Sequence, residues 1–249
     1  MERIKDMSLV ELLNPKQHED ILDLGCEYGE KTKEIAHKSG ARVVGIDHDE
    51  YLSDKWEEIR KGYGNLEFQV MDATNLKFNE EFDAVFSNLV IHHIKTPEQV
   101  ISSVWNALKP GGRFVAEFYG HGTAEEIISA LTKVMCSHNY SFDIKKDFRW
   151  YLPTQEEYCK LLENQGFEGT AQSIFPRKKM HLLDGNIVGW LHQTIKTNTQ
   201  NFDYNIEEQI FQEVQNEVRS QLSENNKWFV NNQHIRIVAR KYSQLSNNN

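Results

Sequence analysis

The stretch Asp20-Ile21-Leu22-Asp23-Leu24-Gly25-Cys26-Glu27-Tyr28-Gly29 leaves the chain few ways to fold. A compact apolar strand over residues 20–24 runs straight into a turn with two glycines, and a helical pattern over 31–39 follows at once. A strand that feeds a helix through so short a turn is the first half of a β–α–β crossover, which places a parallel strand beside it. Arg42-Val43-Val44-Gly45-Ile46-Asp47 supplies that strand. The alternation continues with a helix over 51–61, strands over 66–71 and 82–87, and a helix over 97–108. The turn Lys109-Pro110-Gly111-Gly112 then leads into a fifth strand over 113–119. Five strands, mostly in β–α order, predict an α/β chain built on a parallel sheet.

The same turn points to a ligand. Gly25 and Gly29 carry no Cβ, so backbone N–H groups can come close to a bound group. Asp47 lies 22 residues beyond Gly25, near the roughly 20 that separate such a turn from an acid binding ribose hydroxyls. Asp23 ends the first strand, and Asp72 follows the third in position to accept from an adenine amine. Any one of these acids reads equally well as a strand-end turn residue. Three of them at successive strand ends, on the edge where open α/β sheets take ligands, point to a nucleotide site.

The second half is less regular. Helices are expected over 8–13, 123–137, 154–164, 181–196 and 206–223, with Thr154 as an N-cap ahead of Glu156 and Glu157. A sixth strand is expected over 167–175 and a closing strand over 234–240, with a polar, disordered tail from 246 to 249. The formal charge of −9 disfavours a nucleic-acid partner, and the one short basic cluster is Arg177-Lys178-Lys179. Three scattered cysteines, Cys26, Cys136 and Cys159, suit a reducing cytoplasm and neither a disulfide framework nor a zinc knuckle. No apolar run approaches the roughly 20 residues of a membrane helix.

Taken in order, D-L-G-C-x-x-G, G-I-D, the acid at Asp72, F-D-A-V-F-S-N and L-K-P-G-G-R-F resemble the motifs of class I methyltransferases dependent on S-adenosylmethionine (SAM). The resemblance covers residues 11–120. Further stretches are similar to the trans-aconitate methyltransferase-like branch: Val115 to Gly120, Trp150-Tyr151-Leu152-Pro153-Thr154, Phe175-Pro176-Arg177, Gly189-Trp190-Leu191 and Ile235-Arg236-Ile237-Val238-Ala239-Arg240. The resemblance implies a Rossmann-like fold with a seven-stranded, mostly parallel sheet. Its last strand would run antiparallel beside the fifth, with helical additions on the substrate side. Residues 1–245 would be one domain, with a SAM-binding core over 1–120, substrate-side helices and the sixth strand over 121–233, and the closing strand over 234–240.

It also implies a site. Asp23 would face the methionine ammonium, with Gly25, Cys26 and Gly29 forming the cofactor turn. Asp47 and His48 would lie at the ribose, Asp72 and Ala73 at the adenine, and Asn88 and Leu89 at the methionine part. His92 or His93 is expected to contact cofactor or acceptor, with Tyr119 and His121 as further catalytic candidates. Trp150, Tyr151 and Arg177 are candidates for the substrate side, Arg177 because a guanidinium can hold a carboxylate with two bonds. No metal is expected, because the adjacent histidines lack an acidic or thiol partner at ligand spacing. One departure stands out: Glu27 occupies a position where the family has glycine. The side chain fits if its backbone keeps a negative φ and it points to solvent. The acceptor, whether carboxylate, hydroxyl, amine or carbon, stays open. The alternatives are a non-catalytic protein that binds SAM or its product S-adenosylhomocysteine, or a nicotinamide-dependent oxidoreductase, disfavoured by the missing G-x-G-x-x-G.

Overall fold

The structure, a computed structural model, describes residues 7–174, 178–182, 185–195 and 204–242. The chain forms two compact units, one from residues 1–118, 153–174 and 235–249, the other from 119–152 and 175–234.

The first unit holds the main sheet. Its strands are β1 (Asp20–Leu24), β2 (Arg42–Asp47), β3 (Leu66–Val70), β4 (Phe82–Asn88), β5 (Leu108–Tyr119), β6 (Phe167–Ile174) and the last strand of the chain, β10 (His234–Lys241). They lie in the order β3-β2-β1-β4-β5-β10-β6. The pairs β1–β2, β1–β4, β2–β3 and β4–β5 are parallel, and β10 runs antiparallel to β6. The sheet expected from the family resemblance is therefore present, with its antiparallel strand next to the fifth.

Burial explains why the central strands are apolar without alternation. Ile21, Leu22, Leu24, Val43, Val44, Ile46, Ala84, Val85 and Phe86 are all inaccessible to solvent, as in parallel sheets covered on both faces. Around the sheet lie α1 (Leu9–Leu13), α2 (Glu30–Ser39), α3 (Ser53–Arg60), α4 (Pro97–Ala107) and, further along, α7 (Gln155–Gln165). Ser8 with Glu11, and Thr154 with Glu157, close reciprocal capping boxes on α1 and α7. At the far end of β10 the ammonium of Lys241 is buried. It donates to Glu80 Oε1 (3.0 Å) and to the carbonyls of Trp105 (2.9 Å) and Leu108 (2.8 Å).

The second unit has its own core. Helices α5 (Glu125–Ser137), α6 (Ile144–Asp147), α8 (Ile187–Thr194) and α9 (Tyr204–Leu222) accompany a three-stranded antiparallel sheet. That sheet joins β7 (Lys178–His181), β9 (Lys227–Asn232) and β8 (Ser223–Glu224) in the order β7-β9-β8. Its core gathers Ile127, Leu131, Phe148, Trp190, Phe211 and Trp228 with their neighbours. Here the expectation of a helix over 181–196 is corrected. His181 ends β7, and Leu182 N–H still donates to Trp228 O (2.9 Å). The helix waits until Ile187, where Asn186 caps it by accepting from Gly189 N–H (3.0 Å). Phe175, Pro176, Arg177 and the tail over 246–249 lie outside the described residues.

Candidate cofactor and acceptor site

Strand order reverses between β1 and β4, each the other's parallel neighbour. In open α/β sheets the crevice beyond the carboxyl ends of two such strands is where ligands bind. The Gly25–Gly29 turn leaves β1 there, and Asn88 to His93 leave β4 at the same edge.

The turn takes its shape from alternating left-handed residues: Gly25 (φ +74°), Glu27 (φ +47°) and Gly29 (φ +87°). The N–H groups of Gly25 and Cys26 both donate to Ile46 O (2.9 Å each), curling the turn over the end of β2. A Cβ on Gly25 would stand 2.3–2.8 Å from the Val90 side chain, and one on Gly29 2.8 Å from the Phe68 ring, so both positions require glycine twice over. The negative φ expected at Glu27 is corrected, because the turn puts that residue in the left-handed region. Two bonds hold it: its N–H donates to Asp47 Oδ2 (3.0 Å), and Trp56 Nε1 donates to its carbonyl (2.7 Å). Its side chain is exposed.

Asp47 is thereby tied to the turn. Its Oδ1 accepts from Asp49 N–H (3.3 Å) and pairs with His48 Nδ1 (3.1 Å). Asp72 is exposed and accepts from the Thr74 amide and hydroxyl through Oδ1 (2.8 Å each), which hold its carboxyl below the usual carboxylate range. Ala73 beside it is half-buried.

Asp23 sits differently, only 2% exposed, with Oδ2 accepting from the buried Thr32 hydroxyl (2.7 Å). Burial pushes its pKa up to about 7; the Thr32 hydroxyl opposes that rise and the Asp47 charge adds to it. Cys26 is buried as well, and burial pushes its thiol pKa up.

On the β4 side, Ser87 Oγ donates to Leu24 O (3.1 Å), stitching the two switch-point strands together. Asn88 and Leu89 are half-buried, and Leu89 turns the chain at φ +59°. His92 is buried while His93 keeps exposed surface, and their ring centroids lie 4.2 Å apart. Partial burial and, secondarily, the His48 charge hold the His93 pKa below the ordinary histidine value. Val90 and Trp56 are contributors that the sequence does not announce. Only the absence of a Cβ at Gly25 hinted that something stands over it.

The remaining candidates lie in the second unit. Tyr119 is buried, with its hydroxyl donating to Met180 Sδ (3.7 Å) and its ring beside Trp150 (centroids 5.5 Å) and His234 (5.0 Å). Trp150 also packs against Phe148 and Trp190, and Trp190 is buried as a helix-packing aromatic. Tyr151 is half-buried and His121 exposed.

The donor set fits a SAM-type cofactor. Glycine at 25 and 29 keeps side chains off the turn, and the Asp47 carboxylate, with about four acceptor sites, has capacity left for hydroxyl donors. Residues 22–116 match a family model described as a methyltransferase domain. The chain is 27% identical to an uncharacterised methyltransferase of Schizosaccharomyces pombe, over 94% of this chain and 90% of that one. Its fold is shared with a provisionally named methyltransferase from Bacillus halodurans (TM-score 0.64, 19% identity, 94% of this chain and 97% of that one). It is shared too with phosphoethanolamine N-methyltransferase 2 of Haemonchus contortus, solved with phosphomonomethylethanolamine and S-adenosylhomocysteine (TM-score 0.58, 20% identity). The match covers 94% of this chain and 52% of the Haemonchus chain.

Proposed function

We propose that the chain is a SAM-dependent methyltransferase with a class I fold and that its residues divide the work on a small-molecule acceptor as follows. One observation carries the reading: Asp47 is bonded to the backbone of the glycine turn at the switch point, so that acid and turn form one rigid cradle.

In this reading Gly25, Cys26 and Gly29 give the turn its close approach, with Asn88 and Leu89 opposite. Asp47 and His48 receive the ribose, and Asp72 and Ala73 flank the adenine. Asp23, expected at the methionine ammonium, is read here as a positioning residue because it is buried and fastens the first turn of α2 through Thr32. Bound SAM supplies an electrophilic methyl group on a sulfonium. Against that, the chain must orient a nucleophile and exclude water. His93 is the general base for a hydroxyl or amine acceptor, since a depressed pKa leaves its ring neutral and able to take a proton near pH 7. A carboxylate acceptor needs no base. Tyr119, His121, Trp150 and Tyr151 are proposed for the acceptor side.

Further parts of the reading rest on the sequence. They comprise the trans-aconitate methyltransferase-like branch, a single working domain over 1–245, a cytoplasmic location and no nucleic-acid partner. The interrupted first unit supports the single domain, since neither unit is one continuous stretch. The net charge of −9 supports the last. Among the described residues no helix is long and apolar enough to cross a membrane.

Calorimetric titration with SAM and, separately, NADH tests the premise, and methyl-donor turnover against phosphoethanolamine, carboxylic acids and phenols tests the acceptor class. SAM binding with turnover on one panel member is the expected result. NADH binding in its place would support the oxidoreductase, and SAM binding without turnover on any member would support a binding protein.

A further inference from the structure

We propose that Asn232, Tyr119 and Met180 form a recognition subsite, inside the second unit, for a hydroxyl group carried by the acceptor molecule. The proposal rests on the reading of the chain as a small-molecule methyltransferase.

Asn232 is the last residue of β9 and is fully buried. Its Nδ2 donates to Met180 Sδ (3.6 Å), while its Oδ1, also buried, accepts no hydrogen bond. Turning the amide over would only exchange which atom is left over. The Tyr119 hydroxyl donates to the same sulfur from 3.7 Å. The Asn232 amide therefore gives its N–H to a thioether, which is a weak acceptor, and leaves its oxygen with nothing to accept. Buried polar groups are ordinarily satisfied, and a buried amide short of both a donor and a good acceptor signals a missing partner.

A hydroxyl has the matching chemistry. Its lone pairs can replace the sulfur as acceptor for Asn232 Nδ2, its O–H can serve Asn232 Oδ1, and Tyr119 Oη, which reaches the same sulfur, stands close enough to be a further neighbour. A carboxylate brings no donor for Oδ1, and an ammonium no acceptor for Nδ2. Met180 can make room: its side chain is flexible and the residue is 37% exposed, so it reaches from the buried cluster to solvent. The rings of Trp150 and His234 against Tyr119 give the neighbourhood an aromatic lining suited to a flat or apolar ligand body.

The test uses phenol as the probe and anisole, which keeps the ring and lacks the O–H, as its control. The Asn232 side-chain amide is identified in a nitrogen–proton NMR spectrum by its loss in Asn232→Leu. Phenol is expected to move that resonance, and anisole to bind at least about tenfold more weakly. Asn232→Leu should weaken phenol binding by a similar factor, and so should Tyr119→Phe, a second variant that keeps the ring. S-adenosylhomocysteine binding, measured by calorimetry on the same proteins, should persist in both. Phenol leaving the amide unmoved, or binding both variants as well as wild type, would overturn the subsite. Wild type that binds phenol at Asn232 but not S-adenosylhomocysteine would overturn the methyltransferase reading and leave the subsite standing.

Discussion

Asp47, in the first unit, accepts from the amides of Glu27 and Asp49 and pairs with His48, whereas Oδ1 of Asn232, in the second, is more deeply buried and accepts nothing. The difference separates two kinds of binding surface. Around the glycine turn the polar groups are fixed by their own chain, so a ligand meets a cradle that needs no reorganisation. At Asn232 one buried acceptor is left unmet, as it would be where a ligand supplies the last partner. A cofactor common to many acceptors suits the first design, and a specific acceptor suits the second.

The comparison is most easily broken at Asp23, the one strand-end acid of the first unit that is buried with a single hydroxyl donor. Its folded pKa of about 7 lies above the ordinary carboxylate value. Between about pH 4 and pH 7 the folded state therefore binds the proton more tightly than the unfolded chain does. This group's contribution to stability is greatest below that window, falls as pH rises through it and is level above it. The whole fall amounts to about 4 kcal/mol at most. Urea melts at a series of pH values should show the slope in wild type and lose it in Asp23→Asn. An unchanged slope in the variant would place the titration elsewhere.

Gly25→Ala comes next. The left-handed backbone costs an L-residue about 1–2 kcal/mol, and overpacking against Val90 adds about 1–3 kcal/mol. A chemical melt should show a loss of about 3 kcal/mol, and pairing the change with Val90→Ala should recover only the packing share. Full recovery would mean that the backbone carries no strain there.

Asp47→Ala should weaken SAM binding by about 1.5–3 kcal/mol, the range for hydrogen bonds to a charged group. Calorimetry reads this directly, and unchanged affinity would remove Asp47 from the cradle. The smallest effect belongs to Glu27→Gly. Relief of the left-handed strain is partly offset by the greater freedom of glycine in the unfolded chain, leaving a gain below about 1 kcal/mol in thermal or chemical melts. SAM binding should also tighten, most at low ionic strength, where carboxylate repulsion is least screened. Weaker binding in this variant would make Glu27 a working ligand.

The first unit was readable because its strands are buried on both faces, so that Ile21 to Leu24, Val43 to Ile46 and Ala84 to Phe86 stand out as uninterrupted apolar runs. Its acids are readable because each stands within two residues of a strand's carboxyl end. Their bonding is not, since nothing in the spacing of Glu27 and Asp47 says that an amide of one meets the carboxylate of the other. The second unit hid its sheet for a different reason. β7 is the four residues Lys-Lys-Met-His, too short and too polar to alternate visibly. β9 does alternate, with Trp228 and Val230 buried, but its third inward position is Asn232, where the pattern calls for an apolar side chain. The residue that breaks the pattern also carries an unmet acceptor, its Oδ1. The helix expected from His181 begins at Ile187, because Asp184-Gly185-Asn186 is a turn and cap signal in the sequence that outweighs the apolar spacing before it.

The place of β10 bears on how the chain leaves the ribosome. It inserts between β5 and β6, and its lysine latch reaches back to Glu80, Trp105 and Leu108. During synthesis, at about 5–20 residues per second, β5 is complete while more than a hundred residues are still to be made. For those seconds its outer edge is an unpaired template of the kind that pairs with other chains. The nascent protein is thus most vulnerable to aggregation late in translation, and a chaperone that covers the β5 edge would protect it until Lys241 emerges.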